Sequence, residues 1–377
     1  MPLTVDEIQF NHDTASASVD ALNLRLDQTS LVLPPEYRRG KTICAADSRA
    51  AYAYKPTAAG VITIKAKLKL TGVALPTTRE VRAIRIDTPV PDPKPLGNLA
   101  AKKVSFDAAG DSGWVTFNCT AGTGNYIRVQ DIKWQWQNRK DAVSPWTSFQ
   151  VTAHRIYVVL IPPKLPWNQT PFDAANLQLP WATALDYACN WAYGARTAND
   201  AAALITEHVY ALGPAVITYD CPGGGSTHYA FPDFDLTAFL ERLQGGVGNG
   251  IYVNCTDCAT ITSSFANLVG ADLWQSRMGS NFPLNVMLGI GSSVWQTCCG
   301  WSGFSYHEVA WKGDCTNADP IWDACLQVDA NINTGPPHLA SLPKNQIFTD
   351  YRKLLVPLAS QNTCNAQPAT RKRRAIS

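Results

Sequence analysis

Two cysteines three residues apart, Cys255 and Cys258 in "GIYVNCTDCATITSSFANLVGADLW", stand where a polar loop gives way to a helical pattern. With Asn254 as the N-cap, Asp257 falls at the third helical position, the spacing of a capping box, and Cys255 falls at the first. A thiol at that mouth faces unpaired backbone amides and the positive end of the helix dipole, both of which favour the thiolate. Cys258 lies one turn further in, on an apolar stripe with Ile261, Phe265, Leu268 and Val269 that Gly270 closes, and reads as a small core residue. The chemistry open to Cys255 is nucleophilic attack through sulfur, which requires a proton acceptor and a group that orients the acceptor.

His307 is the best placed acceptor, because "GFSYHEVAW" follows a glycine-rich turn and opens a strand. "ACLQVD" then supplies a second strand ending in Asp329, in the chain order Cys, His, Asp. Asp323 competes for the orienting role; Asp329 is preferred because it ends an apolar run, whereas Asp323 begins one. Of the other histidines, His208 reads as packed on a helix stripe, His228 as part of the loop after "CPGGGST", and His154 as part of a strand. The backbone N–H of Cys255 is the expected oxyanion donor, and no second donor is marked. Trp274, Trp295, Trp301, Tyr306 and Trp311 crowd the same segment and read as core that a substrate cleft would share. A zinc site would need a second cysteine pair at the same spacing, but Cys298 and Cys299 are adjacent, so neither metal nor cofactor is expected.

The segment "CTDCATITSSFANLVG" resembles the core of the transglutaminase-like superfamily, in which a cysteine opens a helix, an acidic residue follows two later, then an alanine, and a glycine ends the helix. Cys255, Asp257, Ala259 and Gly270 hold those places. His307, opening one strand, and Asp329, after a short hydrophobic run in the next, match the rest of the pattern. Val253, Val309 and Ala330 stand where the family usually has glycine, an aromatic and proline. The resemblance spans residues 181–333. It implies a papain-like fold with the triad Cys255, His307 and Asp329 and acyl transfer on peptide or protein amides through a thioester, by hydrolysis in the favoured case. Cross-linking by amine transfer is the nearest alternative, and a binding or structural protein with an inert site is the reading from another class.

The elements that must position these residues fall into two halves. Up to about Leu165 the apolar pattern has period two: "ITIKAKLKL" sets Ile62, Ile64, Ala66, Leu68 and Leu70 against Thr63, Lys65, Lys67 and Lys69, and "DIKWQWQ" sets Ile132, Trp134 and Trp136 against Lys133, Gln135 and Gln137. Further strands are expected over residues 80–87, 103–106, 114–119, 126–129 and 149–161, which makes an antiparallel β-sandwich. After the prolines of "IPPKLPWNQTP" the period turns helical, with helices expected from Trp181 to Tyr193, from a Thr197 cap to Gly213, and from an Asp235 cap to Gly245. The fold class is therefore α+β: a β-sandwich over residues 1–161, a proline-rich linker over 162–175, a catalytic domain over 176–343, and a helix and basic tail over 344–377.

At 377 residues the chain is long enough for two cores, and with 46% apolar and 16% charged residues it is packed rather than disordered. Arg371, Lys372, Arg373 and Arg374 more than account for the formal charge of +2, so the remainder is close to neutral and the run reads as a solvated tail. No nucleic-acid or membrane partner is expected. The N-terminus lacks a signal-peptide pattern, and the odd count of 11 cysteines at irregular spacing favours a reducing, cytoplasmic setting over a disulfide scaffold.

Overall fold

In the computed structural model, which describes residues 2–15, 21–54, 62–87, 94–331 and 335–377, the "TIKAKLKL" alternation is a strand whose Ile64, Ala66, Leu68 and Leu70 are buried while the lysines are half-exposed. Two compact units divide the chain, Met1–Pro162 with Gln169–Gly194, and Pro163–Asn168 with Ala195–Ser377. Its class is α+β, a β-sandwich unit followed by a mixed helix-and-sheet unit.

The first unit holds β1 (Leu3–Gln9), β2 (Tyr37–Arg38), β3 (Arg49–Ala53), β4 (Thr63–Leu70), β5 (Thr77–Arg85), β6 (Leu99–Phe106), β7 (Asp111–Asn118), β8 (Arg128–Arg139) and β9 (Thr147–Val159). One sheet runs β2-β1-β4-β7 and the other β3-β9-β8-β5-β6, and the pairs are antiparallel except β3 with β9. Apolar residues of both sheets share one core, with Trp134 and Trp136 fully buried and their indole N–H groups donating to Gly97 O and Thr152 Oγ1, each at 3.0 Å. The strands expected over 126–129 and in "DIKWQWQ" are one 12-residue element, β8. β1 was not anticipated, since a bulge between Val5 and Glu7 breaks its alternation.

Helix α1 (Ala182–Trp191) belongs to this first unit rather than to the catalytic domain expected over 176–343. The reason is polar and local. Asp186 accepts from Arg49 Nη1 at 2.7 Å, Tyr157 OH at 2.7 Å and Arg155 Nη1 at 3.1 Å, and the Ala182 N–H donates to Arg25 O at 2.8 Å. The expected linker over 162–175 is likewise divided. Trp167 Nε1 donates to Ser264 O in the second unit, and Gln169 Oε1 accepts from the Asn23 N–H in the first, both at 2.8 Å.

The second unit contains α2 (Ala198–Tyr210), β10 (Thr218–Tyr219), α3 (Leu236–Leu243), β11 (Tyr252–Val253), α4 (Cys255–Leu268), β12 (Trp274–Met278), β13 (Phe282–Pro283), β14 (Met287–Gly289), β15 (Gly303–Phe304), β16 (His307–Trp311), β17 (Pro320–Trp322), β18 (Leu326–Asp329), β19 (Ala340–Ser341), β20 (Lys344–Ile347), α5 (Phe348–Leu355) and β21 (Ala366–Lys372). The caps read from sequence form as expected: Thr197 Oγ1 accepts from the Asp200 N–H at 3.1 Å and Asp235 Oδ1 from the Ala238 N–H at 2.9 Å. His208, expected on a packed stripe, is exposed. The main sheet runs β20-β17-β16-β12-β21, and a separate sheet runs β14-β18-β19.

α4 differs from the one-sided helix that its apolar stripe suggested, because all of its residues are buried. Several of its polar side chains find partners: Thr260 Oγ1 donates to Thr256 O and Ser263 Oγ to Ala259 O at 2.7 Å, and Asn267 Nδ2 donates to Leu165 O and Leu273 O at 2.8 Å, whereas the Thr262 and Ser264 hydroxyls are buried without one. The basic run is not a solvated tail. Its first two residues end β21 on the edge of the main sheet and the next two follow it, with Arg371 and Arg373 stacked on the Trp274 ring at 3.7 Å and Arg374 buried in an ion pair with Glu308. Among the described residues no helix is long and apolar enough to cross a membrane.

Candidate active site

The start of α4 is built as its sequence requires. Asn254 Oδ1 accepts from the Asp257 N–H and Asp257 Oδ2 from the Asn254 N–H, both at 3.0 Å, which completes the capping box with Cys255 as the first helical residue. The same two side chains fasten the glycine-rich loop to the helix. Asp257 also accepts from the N–H groups of His228 at 3.0 Å and Tyr229 at 2.8 Å, and Asn254 Nδ2 donates to Gly225 O at 2.8 Å and Thr227 Oγ1 at 2.9 Å. Inside the loop, Asp220 accepts from the Gly223 N–H at 2.7 Å, the Ser226 N–H at 3.0 Å and His228 Nε2 at 3.1 Å. A Cβ on Gly223 would stand 2.3 Å from the Asp220 carboxylate, so this approach needs glycine. Burial raises the pKa of Asp257, against the lowering effect of its backbone donors.

β16 brings in His307, which is fully buried. Its Nε2 lies 2.8 Å from Asp323 Oδ2, and that oxygen also accepts from Tyr351 OH at 2.6 Å, while Asp323 Oδ1 accepts from the Cys325 N–H at 2.8 Å. Nδ1 is left buried without a hydrogen bond of ordinary geometry, and it is the ring nitrogen available to the Cys255 sulfur. Burial pulls the imidazole pKa down, but the charge and hydrogen bond of Asp323 and the interaction with Cys255 outweigh it and push the value up to about 10. Phe304 stacks on the ring, with centroids 5.6 Å apart.

Asp329, preferred from sequence as the orienting acid, is not at this site. It ends β18 in the separate sheet, where it accepts from His338 Nδ1 at 2.7 Å, the Leu339 N–H at 2.9 Å and the Asn331 N–H at 3.0 Å. The strand beside β16 is β17, paired through Ala310 with Trp322, and Asp323 is the residue that follows it. β17 is only three residues long, an apolar pattern too short to be read as a strand, whereas the neighbouring run that ends in Asp329 has a strand's pattern and pairs elsewhere.

Cys258 is buried among other groups. A hydrogen bond with Cys325 favours its thiolate, but burial and the charges of Asp257 and Asp323 prevail and raise its pKa. Burial also pushes the Cys298 thiol up to about 12, with the charge of Cys255 adding to the effect. The Tyr219 phenol belongs to the same cluster, its pKa raised by burial and then by Cys255, and it packs edge-on to Trp301 at 6.0 Å. Tyr219, Cys298 and a Cys221–Cys299 disulfide line a cavity of about 200 Å³. That disulfide is one that the reducing setting expected from the cysteine pattern does not lead one to look for. Tyr219 and the disulfide left no readable signal, because both enter through contacts far apart in the chain. Of the aromatic residues singled out, Trp301 lies in this cluster, Trp311 is core, Trp274 packs under arginines, Tyr306 lies under Arg277, and Trp295 packs on His338.

Fold and site together define an α+β protein in which a helix-capped thiol faces a buried imidazole–carboxylate pair. No family model and no curated protein matches the chain. Among solved structures it is similar to red sea bream transglutaminase, at 10% identity and a TM-score of 0.39 over 75% of this chain, and it spans about half (50%) the length of that protein. The likeness is one of structure alone, and distant.

Proposed function

We propose that this chain is a thiol acyltransferase acting on peptide or protein amides, with water as the favoured acceptor. The observation that supports it is the pairing of Cys255, first residue of a capped and buried helix, with an imidazole whose other nitrogen is held by Asp323 at 2.8 Å. In this reading the Cys255 thiolate attacks an amide carbonyl carbon, and the N–H of Cys255 meets the charge that develops on the oxygen. The C–N bond breaks as the His307 imidazolium gives its proton to the departing nitrogen, leaving a thioester. His307 then removes a proton from water, whose oxygen attacks the thioester carbonyl, releasing the acid and restoring the thiol. Asp323 keeps the ring in one orientation and balances its charge, the role sequence assigned to Asp329.

The test is chemical. Iodoacetamide at neutral pH, mapped by peptide mass spectrometry, is expected to label Cys255 ahead of Cys258. With glutamine-containing peptides and a labelled primary amine present, new termini or released ammonia without amine uptake assign hydrolysis, whereas amine uptake assigns cross-linking chemistry. Equal or absent labelling of the two thiols, with no turnover, would leave a binding protein on this scaffold.

A further inference from the structure

The second half of the site is tied by residues that take no part in the chemistry proposed. Cys255 and Thr256 are consecutive on α4, and His307 and Glu308 are consecutive on β16. The reacting pair is one member of each. The other members are joined directly, with Thr256 Oγ1 donating to Glu308 Oε2 at 3.0 Å. Behind Glu308 stands Arg374, just beyond β21. Its Nη1 donates to Glu308 Oε1 at 2.7 Å, Thr260 Oγ1 at 2.9 Å and Gln275 Oε1 at 2.9 Å, so one guanidinium touches β16, α4 and β12. Arg277 Nε adds a longer contact to Glu308 Oε2 at 3.6 Å. Glu308 is fully buried and Arg374 nearly so.

A buried ion pair is a weak source of stability, because desolvation offsets most of the attraction; its better attested use is to impose one register where apolar packing would accept several. Here the register concerns two elements that meet end to start. Alternation along a strand sends His307 and Glu308 to opposite sides. The first turn of α4 is therefore tied to β16 by the Thr256–Glu308 bond, on the side of the strand opposite His307. A slide or rotation of the helix that apolar contacts would tolerate breaks the Thr256–Glu308 and Thr260–Arg374 bonds and leaves the buried Glu308 carboxylate one donor short, held by Arg374 alone at close range.

We infer that Thr256, Glu308 and Arg374 are positioning residues that set the approach of the Cys255 sulfur to the His307 ring. The inference rests on the thiol–imidazole reading above. It also gives a role to the basic run at residues 371–374. One arginine of that run is the back of the clamp, and its neighbours Arg371 and Arg373 hold the strand down on Trp274.

The experiment compares Thr256→Val, which keeps shape and removes the hydroxyl, with Thr256→Ser, which restores it. The readout is the rate of Cys255 alkylation by iodoacetamide divided by that of the exposed Cys44 in the same molecule, with the melting temperature of each variant recorded alongside. Misplacement of a reacting group by an ångström costs on the order of 10²-fold, so Thr256→Val is expected to lower the ratio by about tenfold or more and Thr256→Ser to return it to within about twofold. Arg374→Ala is expected to lower it at least as far. A ratio unchanged in Thr256→Val, with or without a lower melting temperature, overturns the positioning role and leaves the thiol reading intact. A wild-type ratio near one that His307→Ala does not change overturns both.

Discussion

His307 Nε2 and Asp323 Oδ2 are 2.8 Å apart with both residues buried, and Tyr351 OH holds the same carboxylate oxygen from behind at 2.6 Å. A carboxylate so placed fixes which imidazole nitrogen faces the sulfur. Asp323→Asn keeps the shape and loses the charge, and is expected to lower turnover and Cys255 alkylation by about 10²- to 10⁴-fold, as for orienting acids in comparable triads. Asp329→Asn should leave both rates within about threefold, since its partners are His338, Asn331 and Leu339. Iodoacetamide rates with the two variants side by side decide it; the reverse ranking would restore Asp329 to the site.

The two sulfurs of α4 should separate in the same way. Cys255→Ala is expected to abolish turnover with folding intact. Cys258→Ala removes a buried sulfur, and should lower stability by about 1–2 kcal/mol while turnover persists. Urea titration and activity on each variant make the comparison, and loss of activity in Cys258→Ala at unchanged stability would reassign the nucleophile.

How far these residues were legible from sequence depends on the distance over which each signal acts. Cys255 at the helix mouth was legible because a capping box is a local pattern, complete within Asn254 to Asp257. His307 was legible because it opens a strand whose pattern can be read alone. Asp323 was legible as a candidate but not as the choice over Asp329, since its role depends on β17 pairing with β16 while β18 joins another sheet, and strand partnership is a tertiary choice that periodicity does not report. Arg374 failed for a related reason. A run of like charges is usually solvated, and only the arrival of Glu308, Thr260 and Gln275 from three other elements makes burying it tolerable.

The Cys221–Cys299 disulfide makes a countable prediction. Unfolded under non-reducing conditions, the protein should show nine reactive thiols, rising to the full 11 after reduction. Closing a loop between residues 78 apart stabilises by about 4.5 kcal/mol in the chain-entropy picture, so reduction should also lower the melting temperature. Eleven thiols in material prepared without reductant would mean that this disulfide does not form.

His307 makes the second unit sensitive to alkali. Its pKa is raised in the folded state from 6.5 to about 10 by Asp323 and Cys255 acting against burial, so the folded form binds the proton more tightly than the unfolded one. The stabilisation is complete below pH 6.5 and is lost as the pH rises through 10. Melting temperature against pH should decline across that interval, and His307→Gln should flatten the decline.

The first unit should respond to acid, in a manner set by two buried groups of opposite sense. His154 accepts or donates to Ser48 Oγ at 2.9 Å and Thr152 Oγ1 at 2.8 Å, and burial lowers its pKa to about 3, so its contribution is present above pH 6.5 and is lost as the pH falls toward 3. Glu36 accepts from the N–H groups of Phe10 at 2.8 Å and Asn11 at 3.0 Å, but burial outweighs them and raises its pKa from 4.5 to about 7, so its contribution grows as the pH falls from 7 to 4.5. Each slope is about 1.4 kcal/mol per pH unit, and between pH 4.5 and 6.5 they oppose one another. The pair therefore adds no acid sensitivity until the pH drops below 4.5, where Glu36 is protonated whether folded or not and only His154 still titrates. In Glu36→Gln the opposition is gone, and the decline should begin near pH 6.5, whatever the substitution does to absolute stability. Hydrogen exchange of the β8 and β9 amides against pH reads this out, and an onset at the same pH in both proteins would mean that Glu36 ionises as freely when folded as when unfolded.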